Sequence, residues 1–107
     1  RSMRYKHEFM IHGARYNETE IITITRDTAD GGYETIGYTK SLVQAKRRIN
    51  SLIWERCQAL AKPLPVHLSK TSKGVITIRW QGLNVVHGRN IEKALGWLEF
   101  QHEQRGQ

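Results

Sequence analysis

Five histidines, His7, His12, His67, His87 and His102, make metal binding and acid–base catalysis the first chemistries to look for in this chain. A zinc site needs ligands that converge, as HxH, HExxH or paired Cys/His spacings allow. None of these patterns occurs. His7 and His12 lie five apart on a strand pattern, which puts them on opposite faces. The expectation is five unrelated histidines and no metal. Nucleophilic catalysis finds no support either, since there is no GxSxG turn and no activating base flanks Cys57 or any serine. Cys57 is the single cysteine, which excludes an internal disulfide, and its helical apolar surroundings read as those of a small buried hydrophobe. Glu18 and Glu20 form a carboxylate pair at a strand start, the usual pattern of a solvated edge. Gly13 and Gly31-Gly32 belong to no GxGxxG or Walker fingerprint. No catalytic residue and no cofactor is expected.

Charge carries more information. The 107 residues have a net charge of +7, and the carboxylates that offset it are unevenly placed. Residues 35–54 contain none, against Lys40, Lys46, Arg47 and Arg48; residues 56–91 contain none, against Arg56, Lys62, Lys70, Lys73, Arg79 and Arg89. Two acid-free stretches point to an anionic partner. The candidate binding residues are Lys46, Arg47, Arg48, Trp54, Lys70, Lys73, Arg79 and Arg89. Arg47 with Trp54 seven residues on can grip a phosphate while the indole stacks on a base or an apolar partner. The plainer alternative is a solvated face whose Trp54 covers a sheet edge or a dimer contact. Arg79 and Trp80 are adjacent and so face opposite sides of a strand. Trp80 shares parity with Ile76 and Ile78, the core side. Arg79 then lies with Thr77, and Lys70, Lys73 and Arg89 near it would complete a basic sheet face.

These residues need elements to hold them. Residues 5–12 (YKHEFMIH) read as a short strand ended by Gly13. Residues 21–26 (IITITR) and 33–38 (YETIGY) alternate on either side of Asp30-Gly31-Gly32, a hairpin. Ser41 is placed to cap a helix in which Leu42, Ala45, Ile49, Leu52, Ile53 and Leu60 form the apolar stripe and Pro63 marks the stop. Arg56 falls inside that stripe, so either the helix lifts off the core there or Arg56 has a paired or functional role. The second half repeats the plan: strands over 65–70, 75–80 and 83–87, turns at Ser72-Lys73-Gly74 and Gln81-Gly82, then a helix capped by Asn90. Its inner stripe is Ile91, Ala94, Leu95 and Leu98, with Trp97 and Phe100 outside it, a broad buried face or a subunit contact. From His102 the chain reads as a frayed tail.

The fold class expected is α+β, an antiparallel sheet with two helices packed on it in the order βββα-βββα, with IITITR matching VITIRW as a possible internal pseudo-repeat. A single domain spans 3–104, with 105–107 a disordered tail. Arg1-Ser2 ahead of Met3 has the look of a vector remnant. With no apolar run near the roughly 18 residues of a membrane span and no leader pattern, a cytoplasmic location is expected.

The segment EIITITRDTADGGYETIGYTKSLVQAKRRI resembles the core of AP2-type and phage integrase N-terminal DNA-binding modules, through Gly37, Ser41, Ala45 and Ile49 over about thirty residues. The resemblance implies a sheet that enters the major groove with Thr23, Thr25, Arg26 and Thr35 toward DNA. The dense arginine and tryptophan decoration of the family's reading strands is absent. Small phage proteins that inhibit host defence complexes use a similar hairpin–helix phrase. The leading expectation is a non-enzymatic nucleic-acid-binding accessory protein of phage or mobile-element type, with DNA ahead of RNA. The alternative is a protein-binding inhibitor or adaptor that docks on an acidic protein surface. No membrane partner is expected, and a homodimer stays open.

Overall fold

A computed structural model describes residues 2–6, 8–16 and 19–105. The protein is α+β. Its elements run β1 (Ser2–Lys6), β2 (Phe9–Tyr16), β3 (Thr19–Asp27), β4 (Tyr33–Thr39), α1 (Leu42–Ala61), β5 (Val66–Lys70), β6 (Ile76–Trp80), β7 (Leu83–Gly88) and α2 (Ile91–Arg105). The chain divides into two compact units, Arg1–Ser51 and Leu52–Gln107, and each unit has its own antiparallel sheet. The strand orders are β1-β2-β3-β4 and β5-β6-β7. The two hairpin-then-helix phrases are therefore present, but they build two sheets rather than one that both helices share. The first phrase also has one strand more than expected. Residues 5–12 do not form a single strand: Glu8 lies in a turn, β1 ends before it, and β2 begins after it. Gly13 does not end β2, because it sits in register opposite Ile22 inside a continuous ladder. His7 and Glu18 lie outside the described residues.

In the first unit Phe9, Ile11, Ile22 and Ile24 bury one face of the sheet, with Ala45 and Ile49 buried on α1. Lys6 on β1 donates to the Asn50 side chain of α1 over 2.9 Å. The hairpin turn is closed by Thr28 N–H to Gly32 O at 2.9 Å, with Gly31 at φ 88°, where a side chain would be strained. The Asp30 carboxylate accepts from the Thr28 hydroxyl and from Gly32 N–H, and these bonds hold its pKa below the usual value.

Helix α1 starts as its sequence requires, with Ser41 Oγ accepting from Gln44 N–H at 3.2 Å. Its buried stripe is Ala45, Ile49, Ile53, Cys57 and Ala61, a strict four-residue repeat. Each such step overshoots a full turn by about 40°, so the buried line rotates around the helix as it climbs. This drift explains two departures from the fixed stripe read in the sequence. Leu60 loses its place to Ala61, and Leu42 stays exposed. It also resolves Arg56, which stands beside the rotated line and pairs with Glu99 of α2 at 3.0 Å. The pair lies at the surface, so replacing Arg56 by methionine is expected to lower stability by no more than about 1 kcal/mol in a chemical denaturation curve.

In the second unit Ile53, Cys57, Leu64, Ile76, Ile78, Ile91, Ala94, Leu95 and Leu98 form the core. Asn90 caps α2 by accepting from Glu92 and Lys93 N–H at 3.0 and 3.3 Å. The expected fraying from His102 is not what the structure shows. Helix α2 runs on to Arg105, and His102 Nε2–H donates to the Leu60 carbonyl at 2.7 Å. That carbonyl is one of the last four of α1, which lack an intrahelical partner. Gly106 and Gln107, the rest of the expected tail, lie outside the described residues.

Candidate functional site

The three strands of the second unit contain no carboxylate, since all of them fall within residues 56–91. Pairing fixes which residues share a face. Thr77 stands opposite Ser69 and His87, and Arg79 stands opposite His67 and Asn84. These six form two cross-strand rows on the side away from Ile76 and Ile78. Only Thr77 is partly covered; the other five are exposed. Thr77 Oγ1 and His87 Nδ1 are hydrogen-bonded at 2.9 Å. The result is a polar face centred on one guanidinium, with imidazole, hydroxyl and amide groups around it and no acid among them.

Four of the six had no signal in the sequence that tied them to Arg79. Asn84 and His87 are three apart, and simple alternation sends them to opposite sides. A register shift between Ile78 and Arg79 inserts Val85 as an extra residue in β7 and brings both to the Arg79 side. The parity of His67 and Ser69 was readable only once the β5–β6 register was known.

The basic residues read from the sequence are distributed as follows. Lys70, Ile76 and Gly88 share a row, so Lys70, the Lys73 turn and Arg89 meet at one end of the sheet. Lys73 and Arg89 are exposed there. Arg89 and Lys93 help to line an open cavity of about 410 Å³ beside β7. Lys70 is not on the Arg79 face: register places it on the other side, where its Nζ stands 4.6 Å from the Trp54 ring centroid. Among the described residues the cation over Trp54 is therefore Lys70 and not Arg47. Lys46, Arg47 and Arg48 belong to the first unit, with Arg47 and Arg48 exposed and Lys46 Nζ 5.4 Å over Tyr5.

At the opposite end of the sheet Trp80 meets Trp97 edge-to-face, with centroids 6.0 Å apart and planes at 64°. Beside them is a cavity of about 180 Å³ lined also by Leu64, Pro65, Val66, Gln101 and Arg105.

The outer face of the first sheet carries a different arrangement. Ser2 Oγ lies 2.6 Å from His12 Nδ1, and His12 Nε2 lies 2.9 Å from Thr25 Oγ1. The order hydroxyl–imidazole–partner has a threonine where a serine nucleophile's triad would have a carboxylate. Of the residues that the DNA-module resemblance would turn toward DNA, Thr23, Thr25 and Thr35 share this face. Thr25 is only 4% exposed and is occupied by His12. Arg26 is on the opposite side, paired with Glu34 across the hairpin.

Cys57 is fully buried, and desolvation, with Glu99 nearby as a second cause, pushes its thiol up to about 11. Among the described residues, no three His, Cys, Asp or Glu side chains converge as a metal site would require, and no helix is long and apolar enough to cross a membrane. No protein-family model matches the chain, and no curated protein or solved structure matches it either.

Proposed function

We propose that the second unit binds nucleic acid through its phosphate backbone, as a non-enzymatic binding module. The observation that carries this is the acid-free outer face of the three-stranded sheet. Arg79 supplies a fixed charge on that face, and Lys73 and Arg89 add two more at the sheet's end. His67, Asn84 and Ser69 bring exposed hydrogen-bonding groups to the same side. Such a surface attracts phosphate through charge and holds it through donors, with little means of reading sequence.

Binding of this kind weakens steeply with salt, because each neutralised phosphate releases counterions. In a fluorescence-anisotropy titration, affinity for DNA should fall by tenfold or more between about 50 and 200 mM salt. Arg79→Ala should weaken binding and reduce the salt slope by about 1. Affinity that ignores both salt and Arg79 would rule the proposal out.

A protein-docking reading is favoured by one specific feature, the exposure of Leu83 (68%) and Phe100 (54%) in the same unit. Recovery of a stable protein partner from nuclease-treated lysate, lost on Phe100→Ser and retained on Arg79→Ala, would favour that reading.

A further inference from the structure

We infer that the cavity beside Trp80 and Trp97 receives one unpaired nucleobase, which makes the ligand of the second unit single-stranded; this rests on the phosphate-binding reading above. Trp97, Gln101 and Arg105 succeed one another at four-residue intervals on α2, so an indole, an amide and a guanidinium lie along one line of the helix. All three line the cavity, and its other walls are Leu64, Pro65, Val66 and the second indole, Trp80. The chemistry along this line matches a nucleotide part by part. Indole offers a surface on which any base can stack. The amide of Gln101 both donates and accepts, as a base edge demands. The Arg105 guanidinium matches a phosphate.

Size points the same way. At about 180 Å³ the cavity is smaller than the roughly 300 Å³ at which small-molecule sites begin, so it suits a single ring system rather than a complete cofactor. A base inside a duplex is stacked on both sides and cannot enter. A base in a single strand can. The cavity also lies where the phosphate-binding face ends. Val66, Trp80 and Leu83 make the last row of the sheet, and His67, Arg79 and Asn84 make the row next to it on the opposite side. The two rows are adjacent along the strands but face opposite sides, so a strand that crosses the Arg79 row turns around this end of the sheet to bring a base to the cavity, a path open to an unpaired backbone.

The test is a titration of the full chain at about 50 mM salt, followed by tryptophan emission and anisotropy. The probes are an oligothymidylate, a strand of the same length carrying abasic sites, and a duplex. The expected result is quenching by oligothymidylate and about tenfold tighter binding to it than to the abasic strand, whose phosphates are unchanged. Gln101→Ala should weaken oligothymidylate binding severalfold, leave abasic binding as it was, and leave the melting temperature within a few degrees. Equal affinity for the oligothymidylate and abasic strands with unchanged emission would overturn the base site and leave the phosphate-binding reading intact. Binding to none of the three probes would overturn both. Duplex binding as tight as that of oligothymidylate would also overturn the base site.

Discussion

Ile78→Ala is expected to destabilise the second unit by about 2–5 kcal/mol, while Arg79→Ala, one residue further along the same strand, changes stability by about 0.5 kcal/mol or less. Ile78 is fully buried at the centre of β6, opposite Leu68 and Val86, and truncating it leaves a cavity that close-packed neighbours fill only in part. Arg79 is exposed on the other face. Circular-dichroism melts should show the alanine at 78 lowering the melting temperature by roughly 10 °C or more. The alanine at 79 should melt with the parent protein and show its defect only in nucleic-acid affinity. If Arg79→Ala also melts early, the residue has a structural role and its use as a binding probe is lost.

The second large effect belongs to alkaline pH. Burial raises the Cys57 thiol from its ordinary 9.0 to about 11. Below about 9 the thiol is protonated in both folded and unfolded chains, and its contribution to stability is fully present. Between 9 and 11 the unfolded chain ionises while the folded one does not. Stability therefore falls as pH rises through this window, by on the order of 2 kcal/mol in all. Urea unfolding of the parent and of Cys57→Ala, compared at pH 8 and at pH 10.5, isolates this effect from lysine and tyrosine titration. The parent should lose more stability than the variant. A thiol so placed should also react with Ellman's reagent only as fast as the protein unfolds. Rapid labelling of the native protein would contradict its burial.

Most of the secondary structure was legible because it is decided locally. The IITITR and VITIRW alternation, the Ser41 and Asn90 caps, and the Ile91-Ala94-Leu95-Leu98 stripe all became the elements they signalled. Each depends on residues within a few positions of one another, so a one-dimensional pattern contains the cause. Cys57 was legible as a buried hydrophobe for the same reason. The α1 stripe was read less well. A wheel assumes one fixed direction of burial, whereas Ala45 through Ala61 follow a direction that rotates along the helix.

The candidate site was legible only in its charge. Seventeen basic residues against ten acidic ones, with no acid between 56 and 91, are a property of the chain alone, and so is the opposition of Arg79 to Trp80 on a strand. The tertiary structure decided everything that depends on register. It put His67, Asn84 and His87 around Arg79, moved Lys70 across to Trp54, gave Arg56 to Glu99, and set Gln101 and Arg105 beside the two tryptophans. One extra residue in β7 was enough to turn Asn84 to the Arg79 side. Strand pairing joins residues distant in sequence, and a single-residue shift reverses every face downstream of it. Composition therefore raised the expectation of an anionic partner, while which residues share a face is set by hydrogen bonds that no local pattern records.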